Sequence, residues 1–212
     1  MTMMRSISLV RAAACAAVAA FLAIGGPASA GAQTVLDPEA PVMVTGGAVR
    51  GAVSASDEGI VAFKGIPYAA PPVGDLRWRS PAPVVGWEGV RDASDSGPIC
   101  VQNGGRNVTQ DEDCLFLNVW APRESSEPRP VLFWIHGGGY TGGSGSTAIY
   151  DGTPLAADGA VVVTINYRLN VFGFLAHPAL SAHPGTTACW TWWRRSSGSA
   201  TTSRRSAATP GG

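Results

Sequence analysis

The sequence predicts an α/β fold with a parallel sheet at its centre, and three features lead to this prediction. Residues 130–135 and 160–165 are apolar runs without alternation, which is typical of strands covered on both faces. A glycine-rich loop lies between them, followed by residues 154–158, where a proline suits the first turn of a short helix. Strand, loop, helix and strand in this order form the βαβ unit of a parallel sheet.

The elements before this unit are predicted to be mainly strands. Residues 48–53 and 59–63 indicate two strands, joined by a polar turn at 54–58. Residues 65–83 are punctuated by prolines and exclude a regular helix. Residues 115–120 indicate a further strand that stops at Pro122.

The overall composition fits one globular domain or part of a larger one. Hydrophobic residues make up 45% of the chain, and 15 basic residues balance 15 acidic ones. A neutral balance gives no reason to expect nucleic acid or an anionic membrane surface as partner.

Residues 1–30 have the layout of a secretory signal peptide. Arg5 and Arg11 precede an apolar run at 12–24, and small residues then allow cleavage after Ala30 or Ala32. The run is shorter than the ~20 residues that span a bilayer, so we expect no stable membrane span. A Sec-type signal predicts a secreted or periplasmic product.

An exported chain would keep three cysteines, Cys100, Cys114 and Cys189. In an oxidising compartment Cys100 and Cys114 could close a short loop, which leaves Cys189 over. That loop contains the triplet Asn107-Val108-Thr109, a glycosylation sequon only where the host glycosylates.

The first run of apolar residues leads directly into His136-Gly137-Gly138-Gly139. Consecutive glycines let backbone N–H groups point into an open cleft, where they can stabilise the oxyanion formed in ester hydrolysis. Losing one such donor typically raises the barrier by about 3 kcal/mol. A flexible glycine loop is the alternative interpretation of the tetrapeptide alone.

This tetrapeptide is part of one of four segments that follow one another along residues 45–184. They are Phe63-Lys64-Gly65-Ile66-Pro67-Tyr68-Ala69-Ala70-Pro71-Pro72 with Leu76-Arg77-Trp78, Glu112-Asp113-Cys114-Leu115-Phe116-Leu117-Asn118-Val119-Trp120-Ala121-Pro122, Trp134-Ile135-His136-Gly137-Gly138-Gly139, and Asn166-Tyr167-Arg168 with Phe172-Gly173-Phe174-Leu175. Together they resemble the type-B carboxylesterase and cholinesterase-like family.

The resemblance implies the N-terminal part of an α/β-hydrolase fold, with an N-terminal β-hairpin and an incomplete central sheet. It implies that Gly138 and Gly139 donate the oxyanion-hole hydrogens, and that Cys114 pairs with Cys100. Asn166 and Arg168 would support the fold. The implied activity is a serine esterase acting on small-molecule carboxylic esters, with no metal or organic cofactor.

The sequence departs from the family in lacking the catalytic serine. The family places it in a Gly-x-Ser-x-Gly elbow, followed much later by an acidic residue and a histidine. Gly143-Ser144-Gly145-Ser146 belongs to the glycine loop, while His177 and His183 precede the elbow position. We therefore expect this chain to be inactive as it stands. The alternatives are an inactive truncated remnant and a non-catalytic cholinesterase-like binding module.

The tail at 186–212 has a different character from the rest of the chain. It holds three Trp, four Arg and no Leu, Ile or Val. A family-like continuation, written in codons ending in G or C and read one base out of register, reproduces residues 186–210. We therefore predict a frameshift close to Gly185. The expected organisation is a signal peptide at 1–30, the esterase portion at 31–185 and an aberrant, disordered tail at 186–212.

Overall fold

The structure is a computed structural model that describes residues 34–104 and 107–180. The predicted signal peptide and tail lie outside these ranges, as do His183 and Cys189. The strands in chain order are β1 (Thr34–Val35), β2 (Val42–Val44), β3 (Gly47–Arg50), β4 (Ala52–Ser54), β5 (Asp57–Pro67), β6 (Val90–Asp92), β7 (Ile99–Cys100), β8 (Gln110–Asp111), β9 (Phe116–Pro122), β10 (Glu124–Ser125), β11 (Val131–Ile135) and β12 (Val161–Ile165).

The helices are short. They are α1 (Thr153–Ala157), α2 (Asn170–Phe174) and single 3₁₀ turns at Gly74–Leu76, Ala148–Tyr150 and Pro178–Leu180. Pro154 occupies the first turn of α1, where its missing N–H leaves no helical hydrogen bond unmade. Within the described ranges, none of the helices has the length and apolar character needed to cross a membrane.

A five-stranded mixed sheet in the order β11-β12-β9-β5-β4 carries the site. β11 and β12 pair in parallel, with Phe133 opposite Val163, and α1 lies on the connection between them. This confirms the predicted βαβ unit. The other neighbours, β12 with β9, β9 with β5, and β5 with β4, pair antiparallel.

The predicted strand at 48–53 is divided between two sheets. β3 pairs with β2 and β6, whereas β4 pairs with β5, and the chain changes partner at Gly51. A Cβ at Gly51 would lie 2.7 Å from the Ala62 carbonyl oxygen, so only glycine allows this close approach. The break comes from tertiary pairing, which the local sequence does not encode.

β5 runs further than predicted, through Pro67, because a bulge lets it continue through the proline-containing motif. The pairing with β9 shifts register between Phe63 and Ile66. Gly65 sits in the bulge with φ +64°, and its N–H donates to Asn118 Oδ1 at 3.0 Å. A glycine is required here because a Cβ would approach the Asp95 carbonyl oxygen to 2.6 Å.

Alternate residues of the strands pack on opposite faces of the sheet, as the two-residue period requires. One face buries a core that includes Val61, Phe63, Val119 and Val163. The other face buries Ile60, Ala62, Trp120 and Val162 against Ala156 of α1.

The prediction that both apolar strands are covered on both faces holds for β12 only. Its residues Val162 to Ile165 are at most 7% exposed. In β11, by contrast, Val131, Leu132, Trp134 and Ile135 are 36–47% exposed. β11 is the edge strand of the sheet among the described residues. It is covered only in part there, with Phe133 packed against the core and the ring of Trp134 beside that of Tyr150.

Candidate active site

The glycine loop begins where β11 ends. Gly137, Gly138 and Gly139 are exposed, with φ +118° at Gly138 and +60° at Gly139. The N–H groups of Thr141 and Gly142 donate to the Gly138 carbonyl at 3.1 and 3.2 Å, which closes a tight turn. A Cβ on Gly138 would lie 2.0 Å from the Gly142 carbonyl oxygen, so this turn admits only glycine there.

The N–H groups of Gly138 and Gly139 are the candidate anion-binding donors. Across residues 34–104 and 107–180, neither donates to a protein acceptor. Both residues are exposed, so these hydrogens can meet a substrate atom. Donors held in place before the reaction stabilise a developing oxyanion without further reorganisation.

His136 fixes the entrance to the loop. Its side chain is buried, its Nδ1 lies 2.8 Å from the Gly137 carbonyl oxygen, and its ring stacks on Tyr167 at 4.4 Å. The Tyr167 hydroxyl donates to the His136 carbonyl at 3.0 Å. Burial lowers the pKa of His136, although the hydrogen bond to Gly137 opposes this shift. Burial thus favours the neutral ring, and the bond to Gly137 requires a hydrogen on Nδ1 because a carbonyl oxygen can only accept.

Asn166 and Asn170 hold the far side of the loop. Asn166 Oδ1 accepts from Ser144 Oγ at 3.0 Å and from the Gly145 N–H at 2.9 Å. Asn170, at φ +51°, donates through Nδ2 to the Thr141 carbonyl at 3.1 Å. Its own N–H donates to the Tyr140 carbonyl at 2.9 Å. Asn166 was expected to support the fold, and these hydrogen bonds show how it holds the end of the loop in place.

Gln102 is a further contact residue that the sequence did not reveal. Its Oε1 accepts from the Gly143 N–H at 2.8 Å, and its Nε2 donates to the Gly143 carbonyl at 2.9 Å. Gln102 stands two residues after Cys100 in an irregular segment. No periodicity or known motif in that segment pointed to it.

The other motifs surround the loop and contact one another. Arg77 forms a bidentate ion pair with Glu112, with Nε–Oε2 at 2.5 Å and Nη2–Oε1 at 2.7 Å, which joins the first motif to the second. The buried Arg168 donates to the Arg79 carbonyl at 2.9 Å, and burial lowers its pKa. The Tyr68 hydroxyl donates to the Asn166 carbonyl at 2.6 Å.

Cys100 and Cys114 form a disulfide that closes the segment between them. The Asn107 of the sequon is exposed in that segment.

The remaining sequence candidates have structural or peripheral positions. Ser144 is 5% exposed, and its hydroxyl is bound to Asn166, so it is not presented as a nucleophile. His177 is exposed near the end of the described chain. In the part of the chain that the structure describes, no three His, Cys, Asp or Glu residues cluster as metal ligands would.

The comparisons with known proteins agree with this arrangement. The model of the carboxylesterase family matches residues 38–189. The fumonisin B1 esterase of Sphingopyxis macrogoltabida is 51% identical over 137 residues, covering 62% of this chain and 25% of that protein. The structure of the Geobacillus stearothermophilus carboxylesterase EST55 at pH 6.2 matches with a TM-score of 0.56 and 50% identity, over 61% of this chain and 26% of that one.

A PNB esterase structure matches with a TM-score of 0.66 and 40% identity, over 75% of this chain and 33% of that one. The chain thus spans between a quarter and a third of the length of these relatives. The matched residues include all four motifs, the disulfide and the glycine loop. The chain belongs to the carboxylesterase family and represents its N-terminal portion, within an incomplete α/β-hydrolase fold.

Proposed function

We propose that the gene for this chain encodes a secreted or periplasmic serine esterase that hydrolyses small-molecule carboxylic esters. The observation that carries the proposal is the exposed turn at the end of β11, where the N–H groups of Gly138 and Gly139 face no protein acceptor among the described residues. The family relationship supports it, because the matched relatives bear the names of esterases and a carboxylesterase.

In this mechanism a serine attacks the ester carbonyl, and its proton passes to a histidine oriented by a carboxylate. The carbonyl oxygen becomes an oxyanion, which the Gly138 and Gly139 N–H groups bind at hydrogen-bonding distance. The intermediate then collapses, and the alcohol leaves with the proton that the histidine had taken from the serine. Water attacks the acyl-serine with the same histidine as base, which releases the carboxylic acid and returns the proton to the serine. This chain contributes the oxyanion-binding turn, with His136 and Asn166 holding its two ends.

We expect the original reading frame downstream of Gly185 to encode the serine, acid and histidine of this mechanism. A frameshift near Gly185 would have replaced that frame by the one that gives residues 186–212. On this proposal residues 31–185 are the esterase portion, residues 1–30 an export signal and residues 186–212 a product of the wrong frame. The proposal predicts that the 212-residue chain has no esterase activity of its own.

The role of the turn can be tested by alanine substitutions in a chain whose reading frame has been restored. In Gly138→Ala the new Cβ meets the Gly142 carbonyl oxygen, so the turn must open and the donors move. We expect kcat/KM for p-nitrophenyl acetate to fall about a hundredfold or more, the usual effect of losing an oxyanion donor.

Gly137→Ala is the matched control. A Cβ at Gly137 would have no atom within 4 Å, and its φ does not lie in the left-handed region. We expect its kcat/KM to change by no more than about twofold. Gly139→Ala should fall between the two, because its φ of +60° strains an alanine while the space around it is open. Equal activities for Gly138→Ala and Gly137→Ala would contradict the assignment of the donors.

A further inference from the structure

We propose that Gln102 is a positioning residue for the oxyanion loop, defined here as residues 137–143, and that it joins this loop to the disulfide-closed segment 100–114. This inference rests on the proposed function only in assuming that the loop binds an oxyanion. The effect of Gln102 on the geometry of the loop can be measured without any enzyme activity.

The contact is a two-point clamp on a single backbone residue. Gln102 Oε1 accepts from the Gly143 N–H at 2.8 Å, while Gln102 Nε2 donates to the Gly143 carbonyl at 2.9 Å. Because both atoms belong to one planar amide, the pair fixes the orientation of Gly143 as well as its position. The clamp also fixes which end of the amide is oxygen, since the N–H requires an acceptor.

Gly143 needs an external support of this kind. Its φ is +111°, and a Cβ there would lie 2.3 Å from His136 Nδ1, so no residue with a side chain can replace it. Five residues earlier, the Gly138 N–H of the turn must keep its direction for an oxyanion to bind. The turn between them is closed by the hydrogen bonds of Thr141 and Gly142 to the Gly138 carbonyl. A shift at Gly143 would therefore be transmitted to the donors.

Gln102 is itself held by the disulfide-closed segment. Its second Nε2 hydrogen goes to the Cys100 carbonyl at 3.0 Å, and its backbone N–H donates to Gln110 Oε1 at 2.9 Å. Both of these partners belong to the segment 100–114, whose end residues Cys100 and Cys114 are covalently joined. The disulfide limits the movement of the residue that fixes Gly143, so we infer that the oxyanion loop tightens when the disulfide is closed.

The test is amide hydrogen exchange on the full chain in its oxidised form, comparing wild type with Gln102→Met. Methionine has about the same side-chain length as glutamine but lacks the side-chain amide, so every hydrogen bond made by that amide is lost. The amides to follow are those of Thr141 and Gly142, which do not bond to Gln102 directly. We expect their exchange to become roughly tenfold faster, the effect of losing about one net hydrogen bond. The amide of Val119 in β9 should keep its wild-type rate.

Two further variants separate positioning from general destabilisation. Gln102→Asn retains the amide but is one carbon shorter, so it should fail to reach Gly143 and behave like Gln102→Met. Asn103→Ala changes the exposed neighbour of Gln102 and should leave the Thr141 and Gly142 rates unchanged. The proposal is overturned if Gln102→Met leaves these two rates unchanged, or if it accelerates the Val119 amide equally.

The link to the disulfide has its own test. Reduction of the wild-type chain should accelerate exchange at Thr141 and Gly142, and it should add little to the rates already seen in Gln102→Met. Equal acceleration by reduction in both proteins would overturn the link. None of these rates depends on hydrolysis. If a chain with its reading frame restored proved inactive, the proposed function would be contradicted and the role of Gln102 would not. If the exchange rates of Gln102→Met were unchanged, the role of Gln102 would be contradicted and the proposed function would not.

Discussion

β11 and β12 are neighbouring strands of similar apolar composition, yet their surroundings differ. Val162 of β12 is 2% exposed, while its cross-strand partner Leu132 of β11 is 37% exposed. In the part of the chain that the structure describes, β12 lies between two strands and packs against α1, whereas β11 has one strand neighbour. The difference teaches that an apolar run predicts a strand, but its burial depends on which elements lie beside it. The glycine loop follows directly from the less protected of the two strands.

The largest expected loss of stability comes from placing a lysine at one of the two cross-strand partners Val162 and Leu132. Val162→Lys buries an ammonium group in the core formed with Trp120 and Ala156, which costs several kcal/mol and removes most of the stability of an ordinary domain. Leu132→Lys lets the ammonium reach water, as lysines on edge strands do. We expect cooperative thermal unfolding to disappear in the first variant and to persist in the second. Similar losses in both would mean that β11 is as buried as β12.

A second prediction concerns the outer edge of β11. Among the described residues β11 is the edge strand of its sheet, and it carries exposed apolar side chains, which favour strand pairing between molecules. We therefore expect the 212-residue chain to self-associate. Adding Trp134→Lys to Leu132→Lys should lower light scattering at equal concentration several-fold. The control is Ile149→Lys, because Ile149 is 82% exposed but lies outside the strands. A control that lowers scattering as much as the edge variant would show that the edge does not drive association.

The smallest effect is a pH dependence located at the end of β11. Burial lowers the pKa of His136 below its ordinary value of 6.5. The unfolded chain therefore binds a proton more readily than the folded one as the pH falls below about 6.5. His136 should lower the free energy of unfolding in that window by at most about 1.4 kcal/mol per pH unit, and the loss should level off below the folded pKa.

Urea unfolding of wild type and His136→Gln between pH 5 and pH 8 isolates this contribution, because the other titrating groups are common to both. We expect the difference in unfolding free energy between the two proteins to shrink as the pH falls. Parallel profiles would show that His136 does not titrate differently in the folded chain.

Much of the fold could be predicted from the sequence because local patterns carry it. The strand predicted at 160–165 agrees with β12 to within one residue, and the helix predicted at 154–158 agrees equally well with α1. The strand predicted at 115–120 corresponds to β9. The break at Gly51 could not be predicted, since it depends on which distant strands pair on either side. The exposure of β11 depends in the same way on its neighbours and not on its composition.

The residues of the candidate site also differ in whether a local pattern in the sequence or a distant contact determines their role. Gly138 and Gly139 could be predicted as donors because a run of glycines after an apolar strand is a local signal and because the resemblance to the family implies that role for them. Gln102 and Asn170 could not, since their importance lies in single hydrogen bonds to residues 41 and 29 positions away. Such contacts leave no periodicity in the chain. Tyr167 was placed in a motif, but its hydroxyl contact to His136 appeared only in the structure.

We propose that this chain is the N-terminal portion of a serine esterase and that its reading frame changes near Gly185. The most direct test is to sequence the genomic DNA across the codons for His183 to Gly212 and beyond. The account predicts that one added or missing base restores a frame that encodes the family continuation, with a Gly-x-Ser-x-Gly elbow shortly downstream. A confirmed frame with no displaced continuation and no elbow would contradict it.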